Sequence, residues 1–191
     1  KSTLIYSIMR INQVHFDAVI FDMDGVLIDS EPLWKIAMSD VFASLGSALT
    51  AHDFQRTVGL RIDQVVEYWN HEDQWGIDDI HTVVNQIIDR MVVLISENPY
   101  PLPGVIDTLD YLSKTDIKIG LATSSPQRLI DAVLKYLNIA PYFDAVHSAE
   151  FERYGKPHPD VYLKTAESLG INPTKCLVIE DSLNGVISGK A

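Results

Sequence analysis

Ala18-Val19-Ile20-Phe21-Asp22-Met23-Asp24-Gly25-Val26 runs from successive apolar residues straight into two carboxylates and a glycine. Apolar residues in succession, without alternation, are what a strand buried on both faces of a parallel sheet requires. Three further runs read the same way: Ile117 to Ala122, Ala145 to Val146 with their flanks, and Cys176 to Ile179. Helical periodicity fills the spaces between the last three. Pro126 opens a segment in which Leu129, Ile130, Val133, Leu134 and Leu137 recur at helical spacing, and Pro159 opens another that carries Val161, Tyr162, Ala166 and Leu169 and stops at Gly170. Strand alternating with helix predicts an α/β fold with a doubly wound parallel sheet.

Between the first and second runs no strand signal occurs. Residues Glu31 to Leu45, Arg61 to Asn70, and the series Ile77, Ile80, Val84, Ile87, Ile88, Met91, Leu94 and Ile95 have amphipathic helical spacing instead. An all-helical unit is therefore expected over residues 32–99, inserted after the first strand. It is bounded by Pro32 and by the stiff return Pro99-Tyr100-Pro101-Leu102-Pro103-Gly104. The sheet unit then comprises 15–31 and 100–191, with 1–14 as an extension outside the fold.

Composition narrows the function. The chain has 191 residues, 47% of them hydrophobic and 21% charged, which is enough for a sizeable core and excludes global disorder. Fifteen Lys and Arg against twenty-six Asp and Glu leave a formal charge of −11. A surface of that sign repels nucleic-acid backbones and anionic lipid, so neither is an expected partner. No apolar run approaches the ~20 residues of a membrane-spanning helix, and Leu4 to Met9 lacks a secretory cleavage site. The single cysteine, Cys176, offers neither an internal disulfide nor a zinc cluster. A cytoplasmic protein is the expectation.

Chemistry concentrates where the runs end. In a parallel α/β sheet ligands gather beyond the carboxyl ends of the strands. Asp22 and Asp24, two residues apart at such an end, suit one Mg²⁺, with Gly25 permitting a sharp turn; taken alone, the pair equally suits a solvated acidic loop. Gly25 comes too early for an EF-hand. Thr123-Ser124-Ser125-Pro126 ends the second run at a helix start, where hydroxyls either cap the helix or bind an anion. Gly155-Lys156-Pro157-His158-Pro159 follows the third and presents an ammonium on a rigid turn. It is no Walker loop, because Glu150 and Pro157 stand where that motif needs Gly and Ser or Thr. Glu180-Asp181 ends the fourth run, and adjacent carboxylates repel unless a cation or water separates them. One sheet edge collects all of these, so Asp22, Asp24, Glu180 and Asp181 make a hard-oxygen Mg²⁺ site opposite Thr123 and Lys156.

This ordered set resembles the haloacid dehalogenase superfamily of aspartate-nucleophile phosphatases from about Phe16 onward. FDMDGVLIDSEPLW, GLATSSP, GKPHPD and IEDSLNG match its four motifs, and the helical insertion is similar to its small cap. Within the family, DSEPLW together with VGLRIDQVVEYW is similar to the bacterial hexitol and 2-deoxyglucose-6-phosphate phosphatases. The resemblance implies that Asp22 attacks phosphorus and that Asp24 serves as general acid and then base. It implies Mg²⁺ held by Asp22, the backbone carbonyl at Asp24, Asp181 and, less firmly, Glu180. It gives Asp22, Met23, Asp24, Thr123, the Ser124 N–H and Lys156 to a phosphorylated sugar substrate. Arg61, just after Gly59-Leu60, is the candidate contact from the cap to a polar substrate, and it equally suits a solvent-facing charge at a helix start. The resemblance also adds a further strand after IEDSLNG, so Cys176 to Ile179 is expected as an uncovered edge.

Three rivals are weighed. A sugar phosphomutase of the same family carries a histidine where this chain has Trp34, an indole that cannot accept a proton. A receiver-like signalling domain places its phosphorylated aspartate on a later strand, whereas here both acids follow the first. A catalytically dead binding protein is argued against by the presence of every motif residue.

Overall fold

The computed structural model describes residues 10–11, 14–57 and 60–191. A short antiparallel pair, β1 (Arg10–Ile11) and β2 (Val14–His15), precedes the main sheet. The rest of the expected extension over 1–14 lies outside the described residues. The main sheet comprises β3 (Ala18–Phe21), β4 (Lys118–Thr123), β5 (Ala145–Ser148) and β6 (Cys176–Ile179), all parallel, in the order β5-β4-β3-β6. From β3 the chain winds to β4 and β5 on one side and then crosses to β6 on the other. The crevice at the carboxyl end of β3 is where a sheet of this order takes its ligands.

The apolar runs are continuous because both faces are covered. Val19 and Phe21 join Ile119 and Leu121 in one buried cluster, while Ile20 and Ala122 join Val161, Tyr162 and Ala166 in a second. The second is the packing surface of helix α7 (Asp160–Leu169), which ends at Gly170 with φ 69°. Strand β6 is an edge and its residues are half-buried.

Between β3 and β4 lie α1 (Glu31–Ser44), the four-residue α2 (Ala51–Phe54), α3 (Ile62–Glu72) and α4 (Ile80–Glu97). Periodicity places the start of α4 at Ile77, but the chain delays it to Ile80. Asn70 grips both backbone groups of Ile77, at 3.1 and 2.8 Å, and the Asp79 side chain caps the helix by accepting from the His81 N–H at 3.0 Å. Buried Val83, Ile87, Met91 and Ile95 of α4 belong to the same apolar cluster as Val19 and Phe21, so the insertion and the sheet share one continuous core. A helix absent from the periodicity reading, α5 (Val105–Leu112), follows the proline-rich return and buries Val105, Leu109 and Leu112. Helices α6 (Gln127–Tyr136) and α8 (Leu183–Lys190) complete the unit. Among the described residues no helix is long and apolar enough to cross a membrane.

Candidate active site

The segments that follow the four strands, together with Thr123 at the end of β4, deliver side chains to a cavity of about 440 Å³ roofed by the helical insertion. Asp22 leaves β3 with its N–H on the Ile179 carbonyl at 3.0 Å, which ties the first acidic turn to the end of β6. Gly25 takes φ 71°, and a Cβ there would stand 1.9 Å from an Asp181 oxygen. Gly185 performs the same service in α8, where a Cβ would stand 1.6 Å from Glu180 Oε1. Both glycines are therefore needed for the second acidic pair to reach the first.

Asp22 is 6% exposed. Burial, with the charges of Asp24 and Glu180 beside it, pushes its carboxyl up to about 7 against the pull of Lys156. Lys156 Nζ lies 3.0 Å from Asp22 Oδ1, an ion pair off the hydrogen-bonding direction, and it donates to Glu180 Oε1 at 2.7 Å and the Ala122 carbonyl at 3.3 Å. It also sits 4.9 Å above the ring of Tyr162, whose hydroxyl donates to the same Glu180 oxygen at 3.2 Å. The other Glu180 oxygen accepts from the N–H and the hydroxyl of Ser182, at 2.7 and 3.0 Å. Despite the cost of its burial, Glu180 is held below the usual carboxylate range by Lys156 and Ser182. Burial and the Glu180 charge push Asp181 the other way, upward.

Asp24 is clamped from two sides. Its Oδ1 accepts from the Ser30 hydroxyl and, at 3.2 Å, from the Trp34 indole N–H. Its Oδ2 accepts from the Ser125 hydroxyl at 2.6 Å and from Thr123 at 3.4 Å. Ser30 and Trp34 stand at the root and first turn of α1, whereas Thr123 and Ser125 stand at the end of β4.

Carboxylate oxygens of Asp22, Glu180 and Asp181 approach within 4.8 Å of one another, a spacing and donor type that fit a hard divalent cation. One expectation changes here. The Asp24 carboxylate does not join the cluster, because its four donors turn it toward α1 and β4; only its backbone remains for a metal. Glu180 reaches the cluster but spends both oxygens on Lys156, Tyr162 and Ser182, which makes it the partner of Lys156 first. Asp22, Asp181 and Glu180 each still present a carboxylate oxygen to the cluster.

Thr123, Ser124 and Lys156 line the cavity together with Asp22, Asp24 and Asp181. Met23 does not: its side chain is fully buried in the apolar cluster, so any contact falls to its backbone. Arg61 stays outside the lining as well. Its guanidinium pairs with Asp63 at 2.7 Å and reaches the carbonyls of Ala149 and Glu152 at 3.3 and 3.4 Å. Val58 and Gly59, which open the VGLRIDQVVEYW match, lie outside the described residues. The roof is mainly apolar, with Met38, Phe54, Leu60, Ile62 and Val65 beside Trp34, and Thr57 and Lys35 also line it. The sequence reading missed Ser30, Ser125 and Tyr162. The i+2 spacing of Ser125 after Thr123 was a usable signal, whereas Tyr162 was hidden among the apolar positions of α7.

The model of the haloacid dehalogenase-like hydrolases matches residues 16–191. Hexitol phosphatase B of Escherichia coli (strain K12) is 43% identical over 175 residues, covering 91% of this chain and 79% of that protein. The phosphorylated carbohydrates phosphatase of Thermotoga maritima is 35% identical, covering 92% and 81%. Among solved structures, CbbY from Rhodobacter sphaeroides in complex with phosphate superposes with a TM-score of 0.82 at 22% identity, over 92% of this chain and 82% of that one. The β-phosphoglucomutase of Clostridium difficile superposes with 0.80 at 26% identity, over 92% and 80%.

Proposed function

The chain belongs to the haloacid dehalogenase-like hydrolase family, and we propose that it is an Mg²⁺-dependent sugar phosphatase, like the relatives it is similar to, and hydrolyses hexose or hexitol 6-phosphates through an aspartyl phosphate on Asp22. The observation that carries this reading is the division of labour between the two acids of the first turn. Asp22 is buried against Lys156 and the second acidic pair, where a nucleophile meets a phosphoryl group. Asp24 is turned aside onto four donors, where an acid–base serves the leaving group.

In the first half-reaction an Asp22 oxygen attacks phosphorus, the P–O bond to the sugar breaks, and the departing oxygen takes a proton from Asp24. In the second, Asp24 removes a proton from water, which attacks phosphorus and releases phosphate and free Asp22. Thr123 makes the longest of the four contacts to Asp24, at 3.4 Å. Its hydroxyl is the one that turns from Asp24 to a phosphoryl oxygen, and the phosphoryl group also accepts from the Ser124 N–H and the Lys156 ammonium. Asp22, Asp181 and the backbone carbonyl of Asp24 would hold Mg²⁺, with Glu180 behind them; when bound, the metal neutralises the clustered negative charge of carboxylates and phosphoryl group. The mainly apolar roof excludes water while Asp22 attacks. The single thiol suits a reducing cytoplasm.

The test is a panel of phosphorylated sugars assayed with Mg²⁺ for released phosphate. Hexose and hexitol 6-phosphates are expected among the best substrates, with activity lost on exhaustive chelation and in Asp22→Asn. Wild-type-like turnover in Asp22→Asn would remove the covalent mechanism, and full activity in chelator would remove the metal.

A further inference from the structure

The four donors around Asp24 divide by origin, two to each oxygen. Oδ1 is held by Ser30 at the root of α1 and by Trp34 in its first turn, and Oδ2 from the end of β4 by Ser125 and Thr123. The proposed reaction leaves Thr123 to the phosphoryl group and frees the Oδ2 direction, so the orientation of Asp24 during proton transfer rests on the remaining three.

Two of them are built for the purpose. Ser125 is 5% exposed and its carbonyl accepts from the Ser148 hydroxyl at 2.7 Å, so β5 fixes the backbone that carries it. Its own N–H donates to Thr123 Oγ1 at 3.1 Å. Its hydroxyl hydrogen is thereby left with Asp24 as partner, at 2.6 Å. Trp34 lines the cavity in the first turn of α1 and turns its N–H to Asp24 at 3.2 Å. Indole nitrogen is a donor only, so it holds the carboxylate without competing for the proton.

We propose that Trp34 and Ser125 are positioning residues for Asp24, fixing its two oxygens from the insertion and from the sheet so that its proton is aimed at the ester oxygen. The inference rests on the phosphatase reading above. Both act through the Asp24 carboxyl, and neither is assigned to the phosphoryl group or the ester oxygen. The step they serve is balanced within the site: the Asp22 oxygen–phosphorus bond forms, the ester P–O bond breaks, and the Asp24 proton moves to the alcohol.

This role has a signature that a merely structural role lacks. An alkyl phosphate needs its leaving oxygen protonated, whereas p-nitrophenyl phosphate expels a stable anion and gains little from a general acid. The kcat/KM value reports the steps up to leaving-group departure. Trp34→Phe and Ser125→Ala are each compared with wild type on a hexitol 6-phosphate and on p-nitrophenyl phosphate. General acid–base catalysis contributes roughly 10²–10⁴-fold in all, so loss of one holding donor is expected to lower the alkyl-to-aryl ratio of kcat/KM about 10-fold. Ser125→Thr, which keeps the hydroxyl, is expected to restore the ratio. The two variants sit on different elements, so one that fails to fold leaves the other as the test. Equal losses on both substrates, no loss on either, or a fall in Ser125→Thr as deep as in Ser125→Ala would overturn the proposal. Absence of sugar-phosphate turnover in the wild type would instead count against the phosphatase reading itself.

Discussion

Asp22 illustrates the conflict a buried nucleophile creates. To attack phosphorus it must be ionised, yet burial raises it from its ordinary 3.8 to about 7. The sign for stability follows from linkage. Between these two values the folded chain holds the proton more tightly than the unfolded one, so the contribution of Asp22 to metal-free stability is full below about pH 4 and declines as pH rises to about 7. Asp22→Asn removes the ionisation and keeps the shape. In chelator at pH 8 the variant is expected to melt at least 2–4 °C above wild type, the shift that about 1 kcal/mol produces in a chain of this size. The gap should close at pH 4. Thermal melts at the two pH values check it, and a gap independent of pH would show that Asp22 is ionised without cost. The sequence made Asp22, Thr123 and Lys156 legible because their chemistry is carried by residue type at a strand end. It could not show that Asp24 turns away from the acidic cluster, or that Glu180 is spent on Lys156. Those outcomes depend on Ser30, Trp34, Ser125 and Tyr162, whose donors meet their acceptors only through the fold.

At the level of elements, continuity of apolar residues located all four parallel strands, because a strand covered on both faces has no polar side to hide. Helix ends were less legible. Asn70 and Asp79 moved the start of α4 by side-chain hydrogen bonds that hydrophobic spacing does not record. Helix α5 escaped because three prolines precede it, although Val105, Leu109 and Leu112 keep helical spacing. The element most exposed to a single change is the turn after β3. Gly25 has φ 71° and leaves no room for a methyl group beside Asp181. Gly25→Ala is expected to strain the turn and push Asp181 away from Asp22, raising the Mg²⁺ concentration for half-maximal effect by about 10-fold or more, the loss that about 1.4 kcal/mol represents. Calorimetric titration with Mg²⁺ checks this without turnover. Unchanged affinity would mean that Asp181 is not a ligand.

For the molecule as a whole, charge and shape together separate hydrolysis from transfer. With a formal charge of −11 the chain repels anionic ligands at long range, so a phosphorylated substrate depends on local neutralisation inside the cavity. A mutase must accommodate a sugar carrying two phosphates at some point in its cycle, and each phosphate needs its own counter-charge. Among the described lining residues the cations are Lys156 and Lys35. Lys156 serves the transferred phosphoryl group, and Lys35 is exposed and paired with Glu31 at 2.7 Å. Arg61, outside the lining, is held by Asp63 and by carbonyls of the sheet unit. The roof offers Met38, Phe54, Leu60, Ile62 and Val65, none of which compensates a second phosphate. Trp34 stands where the family's sugar mutases are expected to carry a histidine, and its N–H is committed to Asp24. Water is therefore the acceptor this cavity favours once the alcohol has left. Followed by ³¹P NMR, a hexose 6-phosphate is expected to give inorganic phosphate as its sole product resonance, with the substrate peak falling in proportion. Growth of a second phosphomonoester resonance, with little inorganic phosphate, would show transfer to another sugar hydroxyl and replace the phosphatase with a mutase.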